Sequence, residues 1–339
     1  MQKAIENLAK FPRLQLGFYP TPLQELPRLR EELGKNCPQI FIKRDDWTGF
    51  GFGGNKIRKQ DFLFAKLLQD GVETVITTGG ERSNHARVTA FVCAKLGLNC
   101  VLVLDRKPRP IGTENLKTAA NFIEELLGAE VHLVDSIEER KAKANEIFEH
   151  LKQSGEKVYE IPLGGASAIS TLGFVSAMQE LSEQMNANNL EFDHLFFSSS
   201  TAGTHAGMLI GAKLFGLKDL RIIGISPEPN AKKEIVSEVE RLIEEVGELL
   251  KIETKDLFAK IEVFDEYAGE AYCLETEKAN EVFKLLARTQ AVLLDEVYTA
   301  KAMAGLIDWI KRGKLNANNN LLFWHTGGQI TQFYAPANS

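Results

Sequence analysis

The chain has 339 residues, of which 44% are hydrophobic and 25% charged, and its formal net charge is -6. This length predicts two domains or one large domain with an insertion. No stretch concentrates Lys and Arg, so we expect no nucleic-acid partner. The four cysteines are scattered without zinc-ligand spacing, so we expect reduced thiols and no bound metal. Without a signal-peptide pattern or a long apolar run, we expect a soluble, cytoplasmic protein that makes no membrane contact.

The first part of the chain predicts a short helix, then a proline-containing loop at 11–26, a helix at 28–33 and a strand at 39–43. From residue 56 onward, helices and strands alternate. The predicted helices of this stretch are 56–70, 84–96, 116–127 and 137–151, and its strands are 74–77, 100–104, 131–134 and 158–161.

A second alternating stretch begins after residue 165. Its predicted strands are 194–197, 220–225 and 321–324. Its predicted helices are 172–185 and 275–288, together with three further helices that end at residues 215, 250 and 311. Strands that alternate with helices of this length predict βαβ units and parallel sheets with helices on both faces. We therefore expect an α/β fold with two layers and a ligand cleft between them.

Residues 53–59 (GGNKIRK) form the most informative stretch. Two glycines allow a tight turn close to a ligand, and Asn55 is a suitable helix N-cap. Lys56 is then expected on the first helical turn, where the helix dipole would lower its pKa. A lysine that is easily neutral is what imine chemistry needs. The alternative interpretation is a solvated lysine after a turn.

Two polar turns follow predicted strands. At 198–207 (SSSTAGTHAG), backbone N–H groups and the hydroxyls of Thr201 and Thr204 can hold a phosphate, although this is neither a Walker A loop nor a dinucleotide loop. The turn at 78–85 suits a carboxylate at a helix start, with Ser83 as its N-cap. A plain tight turn and a plain cap are the alternatives. Because ligands bind at the carboxyl ends of parallel strands, we expect both turns to lie near Lys56.

An imine lysine, a phosphate site and a carboxylate site together suit a pyridoxal-phosphate enzyme that acts on an amino acid. The motifs closely resemble those of the D-cysteine desulfhydrase and 1-aminocyclopropane-1-carboxylate deaminase family. The matching motifs, spread over residues 11–328, are 43–46 (KRDD), 53–59 (GGNKIRK), 80–85 (GERSNH), 202–207 (AGTHAG), 297–303 (VYTAKAM) and 325–328 (HTGG).

This resemblance implies fold type II of the pyridoxal-phosphate enzymes, the tryptophan-synthase-β-like fold with two open, twisted parallel-sheet α/β domains and the cofactor cleft between them. Residues 1–54 and 166–339 would form the larger, cofactor-binding domain, and 55–165 the smaller one. The resemblance also implies a homodimer.

The resemblance further implies a role for each matching residue. Lys56 would carry the internal aldimine and remove the α-proton. Asn84 would bind the cofactor's ring oxygen, and Ser83 with His85 would hold the substrate carboxylate. Tyr298 would flank the ring and, with Tyr272, assist proton transfer to the leaving group. The phosphate would lie against Lys59 and the loop residues Ser200, Thr201, Ala202, Gly203 and Thr204.

Thr299 would face the pyridine nitrogen and bears on the branch of the family. A hydroxyl there supports a neutral nitrogen and β-elimination, as in the desulfhydrase branch, whereas the deaminase branch has a carboxylate. The alternative is that Thr299 only caps the following helix. We therefore expect D-cysteine to be converted to pyruvate, hydrogen sulfide and ammonia.

Several alternatives stay open. They are 1-aminocyclopropane-1-carboxylate deamination, an L-cysteate sulfo-lyase-like activity, and a catalytically silent relative that binds amino acids. The sequence departs from the usual desulfhydrase pattern at Glu81-Arg82. Arg82 would either read a second anionic group on the substrate, pair with Glu81 or point to solvent. Trp47, Phe50 and Phe52 are expected to form an apolar rim.

Overall fold

The structure, a computed structural model, describes residues 1–107 and 117–335. The helices of this part are α1 (Gln2–Leu8), α2 (Pro27–Leu33), α3 (Asn55–Gln69), α4 (Asn84–Leu96), α5 (Ala119–Leu126), α6 (Ile137–Gln153), α7 (Ala168–Asn188), α8 (Gly203–Leu214), α9 (Lys232–Leu250), α10 (Glu277–Gln290) and α11 (Thr299–Lys311). Each predicted helix is confirmed within a few residues, except that Leu116, the predicted start of α5, lies outside the described residues.

The strands are β1 (Leu23–Glu25), β2 (Gln39–Arg44), β3 (Thr74–Gly80), β4 (Asn99–Asp105), β5 (Lys117–Thr118), β6 (Glu130–Val134), β7 (Val158–Ile161), β8 (His194–Ser198), β9 (Arg221–Ile225), β10 (Glu262–Phe264), β11 (Asn320–His325) and β12 (Tyr334–Ala335). The predicted strands are all present. The sequence-based prediction was wrong for Leu23–Glu25, expected as a loop, and missed β10 and the short pair of β5 and β12.

Two parallel sheets carry the described part of the chain. The six-stranded sheet has the order β1-β2-β11-β8-β9-β10, and only its edge strand β1 runs antiparallel to its neighbour. The four-stranded sheet has the order β6-β4-β3-β7 and is parallel throughout. Strands β2, β3, β8 and β11 each end in the polar turns that the sequence singled out. The α/β fold class is therefore confirmed, while the domain boundaries stay a prediction.

Helices cover both sheets because their apolar residues recur at helical spacing. In α9, for example, the buried face comprises Ile235, Val239, Leu242, Ile243 and Val246, and the charged residues lie outside. Within the described residues, no helix combines the length and apolar character that crossing a membrane requires.

Glycines bring α7 and α8 unusually close together. A Cβ added at Gly207 would lie 2.5 Å from Cβ of Phe174, and one added at Gly211 would lie 2.5 Å from Cβ of Met178. A Cβ at Gly173 of α7 would overlap the carbonyl oxygen of Arg58 in α3. These contacts fix the distances among three helices, one of which carries Lys56.

A buried ion cluster ties α3 to the six-stranded sheet and to α7. The guanidinium of Arg58 donates to both carboxylate oxygens of Asp45 at 2.8 Å and pairs with Glu180 at 2.9 Å. Lys43 also pairs with Glu180. Because removing either partner would leave a buried charge unpaired, the cluster fixes the position of α3 against β2.

Candidate active site

The glycine pair before Lys56 is required by the backbone path. Gly53 has φ +73° and Gly54 has φ +116°, both in the region that favours glycine. A Cβ at Gly53 would overlap the carbonyl oxygen of Asp46, and one at Gly54 would lie 3.0 Å from the carbonyl oxygen of Thr326. The loop therefore packs directly on the end of β11, and α3 begins beside that strand.

Helix α3 begins one residue earlier than the capping pattern predicts. Gly54 is the N-cap position, and Asn55 is the first helical residue. The Asn55 amide donates instead to Oγ1 of Thr204 at 3.1 Å. The prediction that Asn55 caps the helix is wrong, because its side chain forms a hydrogen bond with the hydroxyl group of a distant loop instead.

Lys56 lies on the first turn of α3, as predicted, and faces the cavity described below. Its Nζ donates to the carbonyl oxygen of Gly164 at 3.1 Å. Surrounding protein desolvates the ammonium and lowers the pKa of Lys56 to about 8. The structure thus adds burial as a cause of the lowered pKa that the sequence predicted. A substantial fraction of this amine is neutral near physiological pH.

Lys59 approaches the same carbonyl oxygen. Its Nζ donates to Gly164 at 3.1 Å, and burial, followed by the charge of Lys56, holds its pKa well below the usual lysine range. Among the residues that the structure describes, no carboxylate forms an ion pair with either lysine. A Cβ at Gly203 would lie 2.9 Å from Nζ of Lys59, so this amine stands beside the first turn of α8.

The hydroxyl-rich loop between β8 and α8 forms a wall near these amines. Ala202 adopts φ +61°, an uncommon value for a residue with a side chain, and turns the chain into α8. The first N–H groups of a helix have no partner within it and offer hydrogen bonds to an anion. His205 is buried behind the loop; burial lowers its pKa to about 3, so it stays neutral.

The turn between β3 and α4 carries Ser83, Asn84 and His85. Ser83 is the N-cap, as predicted, and its Oγ accepts from the backbone N–H of Ala86 at 3.3 Å. Asn84 lies on the first turn of α4, where its Oδ1 accepts from Arg87 at 3.2 Å.

His85 borders the cavity, but its ring nitrogens are both engaged. Oγ1 of Thr77 donates to the carbonyl oxygen of Ile161, so it accepts from Nε2 of His85 at 3.0 Å. The amide of Gln60 lies 3.5 Å from Nδ1. Burial and then the charges of the two lysines hold the pKa of His85 well below its usual range. The ring is neutral and occupied, which favours its backbone N–H over its side chain as a carboxylate ligand.

Tyr272 and Tyr298 meet through their hydroxyl groups, which share a short hydrogen bond, with ring centroids 5.9 Å apart. Burial, as the largest cause, raises the pKa of both phenols. Both are therefore protonated at neutral pH. Since only one proton occupies the shared bond, the other hydroxyl proton is available to a third partner.

These groups surround one cavity of about 200 Å³. Its wall brings together most of the sequence-predicted site residues, which are Lys56, Ser83, Asn84, His85, Ser200, Thr201, Ala202, Thr204, Tyr272 and Tyr298. Lys59, Gly203 and Thr299 lie behind the wall rather than in it.

Comparisons with known proteins identify the family of this chain. Residues 14–327 match the family described as pyridoxal-phosphate dependent enzymes. The chain belongs to this family. It is 38% identical over 333 residues to the D-cysteine desulfhydrase of Klebsiella pneumoniae, covering 97% of this chain and 98% of that protein. It is also 38% identical over 334 residues to the D-cysteine desulfhydrase of Salmonella choleraesuis, with the same coverage. A solved ACC deaminase homologue has a TM-score of 0.87 and 36% identity, covering 98% of this chain and 97% of that one.

The family resemblance and the fold type II architecture predicted from the motifs are thereby confirmed, as are the enzyme class and the pyridoxal-phosphate cofactor. The site itself fits the cofactor. It offers an amine with a lowered pKa at Lys56. Beside the start of α8 it offers the buried Lys59, for which the described residues supply no carboxylate partner, so a phosphate would supply a negative charge there.

Thr299 takes part in a closed hydrogen-bond ring in this pyridoxal-phosphate dependent enzyme. Its Oγ1 donates to Oδ1 of Asp295 at 2.6 Å and accepts from the Asp295 backbone N–H at 2.7 Å. The Asp295 carboxylate also accepts the backbone N–H groups of Val297, Tyr298 and Thr299. Asp295, not Thr299, therefore caps α11. Because the Thr299 proton goes to Asp295, its oxygen has only a lone pair left for another partner. That Thr299 faces a ring nitrogen stays a prediction.

Arg82 does not point to solvent, because it is 2% exposed. Its Nη2 donates to the carbonyl oxygen of Thr331 at 3.0 Å, and the residue lies outside the cavity wall. Trp47, Phe50 and Phe52 do not line the cavity either; Phe50 and Phe52 pack edge-on against Phe91. The expected apolar rim is therefore wrong for this cavity.

Sequence reasoning missed several residues that line the cavity, among them Gly164, Lys107 and Arg140. Gly164 contributes a backbone carbonyl group. Every residue type has this group, so the sequence could not single it out. Lys107 follows the carboxyl end of β4, where ligands of parallel sheets bind, so its position was a usable signal. Arg140 lies near the start of a surface-like helix, and nothing local marks it.

Proposed function

We propose that this protein is a β-eliminating lyase that acts on a small amino acid and converts D-cysteine to pyruvate, hydrogen sulfide and ammonia. The observation that carries the proposal is that one cavity holds Lys56, with its lowered pKa, and the hydrogen-bonded pair of Tyr272 and Tyr298. A base for the α-proton and a proton source for the leaving group thus lie in the same space. The identity to D-cysteine desulfhydrases supports this choice of substrate.

Pyridoxal phosphate, when bound, supplies an electron sink for the α-carbon. Lys56 would hold its aldehyde, and Lys59 with Ser200, Thr201, Ala202, Gly203 and Thr204 would hold its phosphate. Asn84 would donate to its ring oxygen, and Thr299 would face its ring nitrogen. Nζ of Lys56 would accept the α-proton of the substrate, because burial favours the neutral form of this amine.

The substrate carboxylate would bind at the start of α4. Ser83 and the backbone N–H groups of Asn84 and His85 offer donors there, at the positive end of the helix. This binding orients the α-hydrogen, because it fixes one substituent of the α-carbon while the amine is held at Lys56.

Tyr272 and Tyr298 would protonate the departing sulfur. The shared hydrogen bond holds the two oxygens together and uses one of the two hydroxyl protons, so the other would be available to the sulfur. A proton delivered as the carbon–sulfur bond breaks makes hydrosulfide a better leaving group.

An assay with several substrates tests the proposal. The holoenzyme is incubated with D-cysteine, L-cysteine, L-cysteate and 1-aminocyclopropane-1-carboxylate, and sulfide, sulfite, pyruvate and 2-oxobutyrate are measured. We expect sulfide and pyruvate in equal amounts from D-cysteine and none from the Lys56→Ala variant. Absence of sulfide and pyruvate from both cysteine samples would refute the proposed D-cysteine activity, and absence of every product from all four compounds would favour a silent amino-acid-binding relative.

Deamination of 1-aminocyclopropane-1-carboxylate is the second candidate function. The 36% identity to a solved ACC deaminase homologue supports it. Position 299 is a threonine and not a carboxylate, which argues against this function, although the Thr299 hydroxyl donates to the carboxylate of Asp295. Formation of 2-oxobutyrate in the same assay would decide in its favour.

The quaternary structure, the location and the domain boundaries are part of the same proposal. We expect a cytoplasmic homodimer whose larger domain comprises 1–54 and 166–339 and whose smaller domain comprises 55–165. Light scattering of the purified protein tests the dimer, and limited proteolysis near 54 and 165 tests the boundaries.

A further inference from the structure

Two cationic side chains stand in the cavity wall on the side of the four-stranded sheet. Lys107 follows β4, and Arg140 lies on the first turn of α6. Both form ion pairs with one carboxylate, that of Asp105 at the end of β4. Asp105 is 2% exposed and Arg140 is 8% exposed, so the cluster is built into the fold and is not a loose surface pair.

The cluster faces the region where a leaving group would depart. Nζ of Lys107 lies 5.7 Å from the ring centroid of Tyr272, one of the two phenols proposed as proton donors. The stem of Lys107 packs on the strand end, since a Cβ at Gly80 would lie 3.1 Å from its Cε. Lys107 therefore spans from the turn that precedes Ser83 to the tyrosine pair.

The hydrogen-bonding capacity of the cluster is incompletely used. Two cations share the carboxylate of Asp105, and Nε of Arg140 is buried without a hydrogen-bond partner among the described residues. Two other carboxylates lie nearby: that of Glu81 accepts the backbone N–H of Lys107 at 3.2 Å, and Glu228 lines the cavity as an exposed residue. An anion that enters the cavity would meet an ammonium and a guanidinium held side by side.

We propose that Lys107 and Arg140 form a subsite for a negatively charged β-substituent of the amino-acid substrate, such as a thiolate, a sulfonate or a phosphate ester. This proposal rests on the proposed function. It assigns to Lys107 and Arg140 the recognition of a second anionic group on the substrate, a role that the sequence analysis considered for Arg82. Arg82 lies outside the cavity. The subsite is distinct from the loop before α8 and from the turn before α4, which would hold the cofactor phosphate and the α-carboxylate.

The subsite would also assist the reaction. The α-carbon gives its proton to Lys56, a double bond forms between the α- and β-carbons, and the β-substituent leaves with the electron pair of its bond. A sulfonate would leave as sulfite, and water would then convert the remaining enamine to pyruvate and ammonium. Two fixed cations stabilise the negative charge that accumulates on the leaving group.

Aspartate and asparagine are matched probes, because they differ in the charge of the β-substituent and have nearly the same shape. Calorimetric titration of the holoenzyme with both enantiomers of each gives the ratio of the two dissociation constants. We expect aspartate to bind at least tenfold more tightly than asparagine in the preferred enantiomer. Lys107→Met and Arg140→Met should each reduce this ratio about tenfold, whereas Lys107→Arg should retain it.

Lys143→Met is the matched control, because Lys143 pairs with the exposed carboxylate of Glu146 and does not line the cavity. In Lys143→Met, the ratio of the dissociation constants for asparagine and aspartate should equal the wild-type ratio. Circular dichroism verifies that each variant is folded. Equal binding of aspartate and asparagine by the wild type, or an unchanged ratio in Lys107→Met and Arg140→Met, would overturn the subsite. A charge preference without pyruvate formation from any β-substituted amino acid would retain the subsite and refute the lyase proposal.

Discussion

Lys56 and Lys59 donate to the same carbonyl oxygen, that of Gly164, each at 3.1 Å. They lie three residues apart on α3 and so face the same side of the helix. Burial disfavours the charged form of both amines, and their proximity further disfavours the charge of Lys59. Both amines are thus shifted toward the neutral form, as the role proposed for Lys56 requires.

Lys59→Met should weaken binding of pyridoxal phosphate far more than binding of pyridoxal. The phosphate would lose a charge-assisted hydrogen bond in a buried site, so we expect its dissociation constant to rise about tenfold to a hundredfold. Equilibrium dialysis of the apoenzyme with both ligands measures the difference. Lys66→Met, which removes an exposed lysine of α3 paired with Asp70, is the control. Equal losses for the two ligands would contradict a phosphate contact.

The rate at which the apoenzyme captures pyridoxal phosphate should rise with pH and level off above a midpoint of about 8, the pKa of Lys56. Only the neutral amine attacks the aldehyde, and the lowered pKa makes this form abundant at a lower pH than for a surface lysine. Stopped-flow absorbance over a pH series gives the midpoint. A midpoint at the ordinary lysine value would show that the ammonium is hydrated.

Tyr272→Phe should slow elimination from D-cysteine about a hundredfold and slow elimination from β-chloroalanine much less. Chloride leaves without a proton, whereas hydrosulfide benefits from one. Comparison of kcat/KM for the two substrates isolates proton donation from binding. Tyr267→Phe is the matched control, because the Tyr267 hydroxyl donates to Asp308 away from the cavity. Equal slowing for both substrates would assign Tyr272 a structural role.

Arg58→Met should lower the free energy of unfolding by about 3–5 kcal/mol, because it leaves the buried carboxylate of Asp45 and the partly buried carboxylate of Glu180 without the guanidinium that pairs with both. Arg241→Met, which breaks exposed pairs on α9, should change it by at most about 0.5 kcal/mol. Urea denaturation of the apoenzyme measures both.

The same cluster has a pH dependence. The charges of Arg58 and Lys43 overcome burial and lower the pKa of Glu180 to about 2. Since a carboxylate in the unfolded chain titrates near about 4.3, its contribution to stability is complete at neutral pH. This contribution is lost as the pH falls from the pKa of the unfolded chain toward the lower pKa of Glu180 in the folded protein. In Arg58→Met, the loss on acidification should be smaller.

Much of the fold was predictable because helix and strand periodicity alternates clearly from residue 56 onward. The short strand β1 was not, since prolines surround it and its extended form depends on pairing with β2. Strand β10 has three residues and is likewise defined by its neighbour, β9.

The site was predictable where chemistry follows local sequence, as for the helical start at Lys56 and the cap at Ser83. It was not predictable where partners come from distant segments. Asn55 was predicted to cap the helix, but its side chain donates to Thr204. Arg82 was expected to bind a substrate anion, pair with Glu81 or point to solvent, but its guanidinium donates to the carbonyl oxygen of Thr331. The joint use of Asp105 by Lys107 and Arg140 depends on the first turn of α6 lying beside the end of β4.

The close approach of α7 and α8 has a consequence for mutational tolerance. Gly173, Gly207 and Gly211 touch no atom that takes part in the proposed reaction, yet a single methyl group at any of them would collide with a neighbouring helix. A saturation scan scored by activity should therefore rank these three positions with Lys56 as intolerant. Purified holoenzyme would separate the two groups, because only the glycine substitutions would reduce the yield of folded protein.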